Sequence, residues 1–298
     1  MAINFSTSTG IFCWQPTAWL RAHGSDVASF LQGQFTQDLR GLEHQPAVYG
    51  LWLNVKGKVL GDSFVLRGGG ADEFWIGSYH SPAAVIRERL ETFVIADDVT
   101  IEDTTAGWAA VSVIGPEAGR LLAGPPAEGL VFGGRRTRGP NAEWVYPVAA
   151  AGNVRQRLIG TKELSAADLM HLRLDAGIPA VPAEIGPGDL PNEGGLEVDA
   201  ISYAKGCYLG QEVMARLKSM GRVRRRLLRV GGAAQSLPAL PGRLFAHGRQ
   251  VGELRSAAGD GAGGVIGFAM LSLPNLSADT MLALAADGPP VLRLLDPP

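Results

Sequence analysis

The chain has 298 residues, enough for about two domains and for a core that buries most of its apolar surface. Lys and Arg (27) nearly balance Asp and Glu (29) for a formal charge of −2, which excludes a global field for nucleic acid or an anionic membrane and leaves only local contacts. The opening MAINFSTSTGIFCWQP lacks the basic and apolar regions of a secretory signal, and no uncharged apolar run reaches the roughly 18 residues of a spanning helix, so a soluble cytoplasmic protein without a membrane partner is expected. Cys13 and Cys207 make no disulfide framework, and five scattered histidines without CxxC spacing exclude structural zinc. No metal site is expected from this chain alone; a cluster shared with another chain or with small thiols stays open.

Forty glycines, nineteen prolines and many short segments indicate an α+β protein with tight turns. GSDVASFLQGQ (24–34) predicts the first helix, with Ser25 or Asp26 as cap and Val27, Phe30 and Leu31 on one face. IGPEAGRLLAG (114–124) repeats the pattern of HGSDVASFLQG (23–33), as a duplicated strand–helix unit or as a common way to begin a helix. Strands are expected at 47–54 and 58–67, joined by a hairpin, and at 72–78, 99–103 and 108–115. Residues 81–94 predict a helix capped by Ser81, residues 124–140 a loop-rich stretch, and 165–179 a helix with a Ser165 and Asp168 capping pair. GGAAQSLPALPG (231–242) reads as a linker, placing a domain boundary near 231, and a small antiparallel barrel with a His247-Gly248 turn follows.

KGCYLGQE (205–212) leads into a helix expected to start near Leu209, with Val213, Met214 and Leu217 at helical spacing. Cys207 thus stands before a helix N-terminus, where exposed N–H groups and Lys205 favour a thiolate and Glu212 opposes it. The competing reading is a small buried hydrophobe at a turn. The run RVRRRLLRV (222–230) alternates as a strand with one wet face, and the glycine clusters lack the context of a nucleotide-binding loop.

KGCYLGQE, together with LQGQFTQDL (31–39), LRLDAGIP (172–179), LPNEGGL (190–196) and ARLKSMGRVRRRL (215–227), resembles the YgfZ-type folate-binding proteins, relatives of aminomethyltransferase, the T-protein of the glycine cleavage system. The likeness runs from about Phe12 into the barrel. It implies three domains around a central folate channel, with residues 1–230 as two intertwined α+β folate-binding subdomains and 231–298 as the barrel. It also implies tetrahydrofolate or a derivative as cofactor, and iron–sulfur client proteins or assembly factors as partners, including enzymes that thiomethylate tRNA. No direct nucleic-acid contact is expected. The resemblance makes Cys207, with Lys205, the functional thiol, standing where the transferase has aspartate. It puts Glu193 on the pterin edge and Asp62, Gln34, Thr36, Tyr208, Gln211 and Glu212 around the folate. For Gln34, Thr36 and Asp38, ordinary loop chemistry after Gly33 is an equal alternative. Gly61 replaces one of the transferase's paired acids and puts aminomethyl transfer in doubt, so an accessory factor rather than a one-carbon transferase is expected.

Overall fold

A computed structural model describes residues 8–123, 128–233, 238–259, 263–274 and 276–298, apart from the side chain of Met220. Parts of the expected 124–140 loop and 231–242 linker, and the first seven residues, lie outside these. In chain order the first elements are β1 (Gly10–Trp14), β2 (Ala18–His23), α1 (Val27–Gln34), β3 (Ala47–Leu53), β4 (Val59–Arg67), β5 (Glu73–Ser78), α2 (Ala83–Glu91) and β6 (Thr100–Asp103). β7 (Trp108–Ile114), α3 (Ala118–Leu121), β8 (Leu130–Gly133), β9 (Asn141–Pro147), α4 (Ala151–Arg157), β10 (Lys162–Glu163) and α5 (Ala166–Asp175) follow. After a long loop come α6 (Glu197–Ala200), α7 (Gln211–Met220), β11 (Arg225–Gly232), β12 (Gly242–Ala246), β13 (Arg249–Gly259), β14 (Val265–Ser272), β15 (Met281–Ala283) and β16 (Pro290–Leu294).

The strands make two five-stranded sheets, ordered β3-β4-β5-β2-β6 and β10-β1-β7-β9-β8, and a closed barrel ordered β11-β14-β13-β12-β15-β16. The α+β expectation and the C-terminal barrel are therefore both found. β11 supplies the barrel's first strand from residue 225, so the barrel straddles position 231. Its β12–β13 turn uses His247 (φ 50°) and Gly248 (φ 74°), as the His-Gly pair predicts. Closure removes exposed strand edges. Among the described residues no helix is long and apolar enough to cross a membrane.

Each sheet carries helices on one face. α1 and α2 cover the first through a core that includes Leu20, Leu31, Trp52, Ile76 and Ile86. α3 and α4 cover the second through Val111, Val113, Trp144 and Val154. The remaining faces meet through Trp19, Phe64, Tyr79, Phe132 and Val145. Burial of each such large side chain contributes about 1.5–3 kcal/mol, so this aromatic seam is a main bond between the sheets. The segments expected to repeat have the same local form: each strand ends in a glycine of positive φ, Gly24 (130°) and Gly115 (123°), and a helix begins a few residues on.

Local differences from the sequence reading have physical causes. α2 has Pro82 at its N-cap and no side-chain cap, because the Ser81 hydroxyl is committed to Asp62. Asp26 stands at the N-cap of α1 without capping it; its carboxylate accepts the Asp98 N–H instead. The helix after KGCYLGQE begins at Gln211, since Gly210 turns the chain at φ 85°. β8 lies within the expected 124–140 loop, paired to β9.

Gly24 and Gly115 bear a direct test. A Cβ at either would collide with a backbone carbonyl, that of Asp98 or of Ser8, and an L side chain is strained at these φ values. Gly24→Ala and Gly115→Ala should each lose about 2 kcal/mol or more in urea unfolding. Gly33 sits inside α1 with open space around it, so Gly33→Ala should gain about 0.5–1 kcal/mol. Equal effects at the three positions would contradict this account.

Candidate functional site

The segments LQGQFTQDL and KGCYLGQE, far apart in sequence, are bonded together. Lys205 is buried, and its Nζ donates to the carbonyls of Gln32 (2.6 Å), Phe35 (2.6 Å) and Gln37 (3.1 Å). Burial pushes its ammonium down to about 8. Thr36 Oγ1 donates to the Ala200 carbonyl and accepts the Leu51 N–H, while Ser202 N and Leu209 N bond to the carbonyls of Thr36 and Gly33. Gln34 Oε1 accepts from Arg89 Nη1. In this arrangement Lys205 and Thr36 position backbone, and Gln34 holds the Arg89 side chain. Cys207 is exposed on the loop so fixed, Glu212 is exposed, and Gln211 begins α7. Tyr208 is buried, and its hydroxyl has no partner among the described residues.

The chemistry of greatest burial lies between the sheets. Asp62 on β4 is 6% exposed. Its Oδ1 accepts from the hydroxyls of Ser81 (2.6 Å) and Ser78 (2.8 Å), and its Oδ2 from that of Tyr49 (2.9 Å). Burial raises its carboxyl above the ordinary range, while the three hydroxyl donors pull it back. Oδ2 keeps acceptor capacity for a further donor. Beside it, the Arg135 guanidinium lies 3.9 Å from the Tyr49 ring centre and pairs with Asp199 at 3.0 Å. Arg136 lies 3.6 Å from the Tyr79 ring centre, against Glu143, whose carboxylate is wholly buried and accepts from Trp14, Tyr79 and Ser112.

These side chains surround a waist of about 10 Å³, the room of one water molecule. Arg135 and Tyr49 separate it from a cavity of about 700 Å³ that also meets Phe64, Gln37 and Asp38. Tyr79, His80, Arg136 and Arg173 form its wall with a more apolar cavity of about 900 Å³ bounded by Phe12, Trp14 and Met170. Asp62 is the residue from the sequence reading that lines this waist. Glu193 is buried, but Arg225 donates to both of its oxygens (2.7 and 3.1 Å) and the Leu190 N–H to one (2.7 Å). A pterin edge would have to displace Arg225 to reach it. Tyr49, Ser78, Arg135 and Arg136 were not singled out from sequence, and Ser81 only as a helix cap, although GGRRTRG (133–139) concentrates arginine in a chain of balanced charge.

A group whose folded pKa is raised loses stabilisation as pH climbs through that value. Asp62 should therefore destabilise the fold progressively as pH rises from about 4 toward 7, and Asp62→Asn, which cannot ionise, should not. Urea unfolding of both proteins across that range should show the variant gaining on the native chain with pH; a constant difference would contradict a raised carboxyl.

Comparison with known proteins agrees with this architecture. Residues 4–126 match the GCVT N-terminal domain. The chain is 28% identical to the "tRNA-modifying protein YgfZ" of Edwardsiella ictaluri, over 94% of this chain and 88% of that protein. It is also 28% identical to the mouse "Iron-sulfur cluster assembly factor IBA57, mitochondrial", over 85% of this chain and 75% of that protein. The crystal structure of the glycine cleavage system aminomethyltransferase T from Bartonella henselae superposes with a TM-score of 0.82 at 16% identity, covering 98% of this chain and 86% of that one. The fold is that of the aminomethyltransferase T-protein, and the resemblance to YgfZ-type proteins extends over most of the chain.

Proposed function

We propose that this protein binds tetrahydrofolate or a derivative and supports the assembly or repair of iron–sulfur enzymes, including tRNA-thiomethylating ones, in the cytoplasm, through the thiol of Cys207. The observation that carries the folate half is the Asp62 carboxylate, buried at the waist where cavities large enough for a ligand converge. A pterin presents a ring N–H beside an exocyclic amine, and Asp62 Oδ2, already accepting from Tyr49, has room for one of these donors. Tyr49 offers the stacking face once Arg135 withdraws. Glu193, bonded to Arg225 and the Leu190 N–H, does not line the waist or the two cavities beside it. The accessory half is supported by the named roles of the YgfZ and IBA57 relatives and by an exposed cysteine on a loop with fixed anchors.

Calorimetric titration with tetrahydrofolate separates the two carboxylates. Leaving a buried donor edge unpaired costs about 1–3 kcal/mol, so Asp62→Asn should weaken binding about tenfold or more, whereas Glu193→Gln should stay within about threefold. A larger loss at Glu193 would move the pterin out of the waist.

A second reading, folate-dependent one-carbon transfer, is favoured by the same buried acid, which a transferase needs beside the reactive nitrogens. It is disfavoured at residue 61, where a Cβ on the glycine would press on the Ser81 hydroxyl that holds Asp62. Turnover of an aminomethylated carrier protein would select it.

The thiol has its own test. Burial and Glu163 raise the Cys13 thiol above its ordinary range, so iodoacetamide at neutral pH should label Cys207 first. Cys207→Ser should keep the fold and folate affinity but fail to restore iron–sulfur enzyme activity in cells lacking the protein. Full complementation would remove the thiol from the function.

A further inference from the structure

The turn at 78–81, which follows β5, is folded around the Asp62 carboxylate. The hydroxyls of Ser78 and Ser81 donate to Oδ1, and Ser78 Oγ in turn accepts the main-chain N–H groups of His80 (3.3 Å) and Ser81 (3.0 Å). The bonds that satisfy Asp62 therefore also fix the backbone of His80. Tyr79 turns into the seam between the sheets, where its hydroxyl donates to Glu143. His80 is exposed, and lines both the waist and the cavity of about 900 Å³ beside it.

Around the waist the acid, the arginines and the tyrosines all have partners, whereas the His80 imidazole makes no hydrogen bond or ion pair among the described residues. Crowding by the surrounding protein, and then the positive charges of Arg136 and Arg173, push it down to about 4. At neutral pH it is uncharged, with one nitrogen free to accept and the other to donate. The cavity it opens onto is walled by Phe12, Trp14, Leu169 and Met170, and the arginines there are already paired, Arg136 with Glu143, Arg173 with Glu184 and Arg255 with Asp189. An anion finds no free guanidinium in it, while an uncharged aromatic arm finds apolar walls. In a reduced folate whose pterin edge lies on Asp62, such an arm is joined to the pterin through a secondary amine, and its N–H needs an acceptor once water is excluded.

We propose that His80 is a further ligand-binding residue: its imidazole accepts from the secondary amine that joins pterin to aromatic arm, and so selects folates in which that N–H is free over those substituted there. The inference rests on the folate reading above and assigns the arm to the cavity beside Trp14 and Met170.

Calorimetric titration of the full chain with tetrahydrofolate and with 10-formyltetrahydrofolate, which lacks that N–H, tests it. The native chain should prefer tetrahydrofolate by about fivefold or more; His80→Phe should weaken tetrahydrofolate binding by about three- to tenfold and lose the preference, and His80→Gln, whose amide still accepts, should stay within about threefold of native. A packing role would not move a second readout, the pH profile. The ratio of native to His80→Phe affinity should hold from about pH 8 to about pH 5.5, because Arg136 and Arg173 keep the imidazole neutral throughout, and Asp62 titrates alike in both proteins. Unchanged affinity in His80→Phe, equal binding of the two folates by the native chain, or a ratio that collapses below about pH 6.5 would each overturn the proposal. Binding that needs Asp62 but not His80 would overturn this inference alone, whereas no binding by the native chain would remove the folate reading with it.

Discussion

The ammonium of Lys205, held by three main-chain carbonyls at the end of α1, is the contact on which the placement of the remaining parts depends. A helix end leaves its last carbonyls without partners, and the negative end of its dipole favours a cation. Here the cation comes from a residue more than 160 positions later. An uncompensated buried charge is costly, so the ammonium is stable there only while the carbonyls surround it, and they are satisfied only while it stays. The result is a two-sided constraint: the loop carrying Cys207 cannot shift without unmaking the end of α1. Leu209 and Ser202 add main-chain bonds to the same turn, and Gly210 redirects the chain into α7.

The centre of the molecule follows a different logic. Arg136 is buried against Tyr79 and Arg135 half-buried against Tyr49, and their charges are balanced by Glu143 and Asp199. This set is internally satisfied and closes the waist. Asp62 is the exception, because its partners are neutral hydroxyls and burial still raises its carboxyl. A buried acid whose hydrogen-bond partners are all neutral hydroxyls weakens the fold as it ionises, and the only charge that offsets this is that of nearby Arg135.

Strand positions were legible because β3, β4 and β7 are short, largely apolar runs set off by glycine and turn residues, and the Ser165 capping box was legible because it is local. Errors arose where a long-range partner outcompeted a local one. Ser81 reads as a helix cap, yet its hydroxyl serves a carboxylate 19 residues earlier. Asp26 likewise serves the chain at residue 98. Lys205 reads as a neighbour of Cys207, but its side chain turns toward α1, a direction that only the tertiary fold sets. Within the cavities, the motifs led to Asp62 and missed the two arginines beside it, because residues 130–136 look like loop until β8 pairs with β9.

The segment from 192 to 226 joins the waist, the Cys207 loop and the barrel. Asp199 holds Arg135 at the waist, Lys205 fixes the Cys207 loop, and α7 runs from that loop toward β11. Gly210 turns the chain into α7 at one end, and ten residues of helix, about 15 Å, carry it to the strand that opens the barrel at the other. One short stretch of chain therefore ties together the sheet interface, the cysteine loop and the C-terminal domain, although no element of it belongs to either sheet.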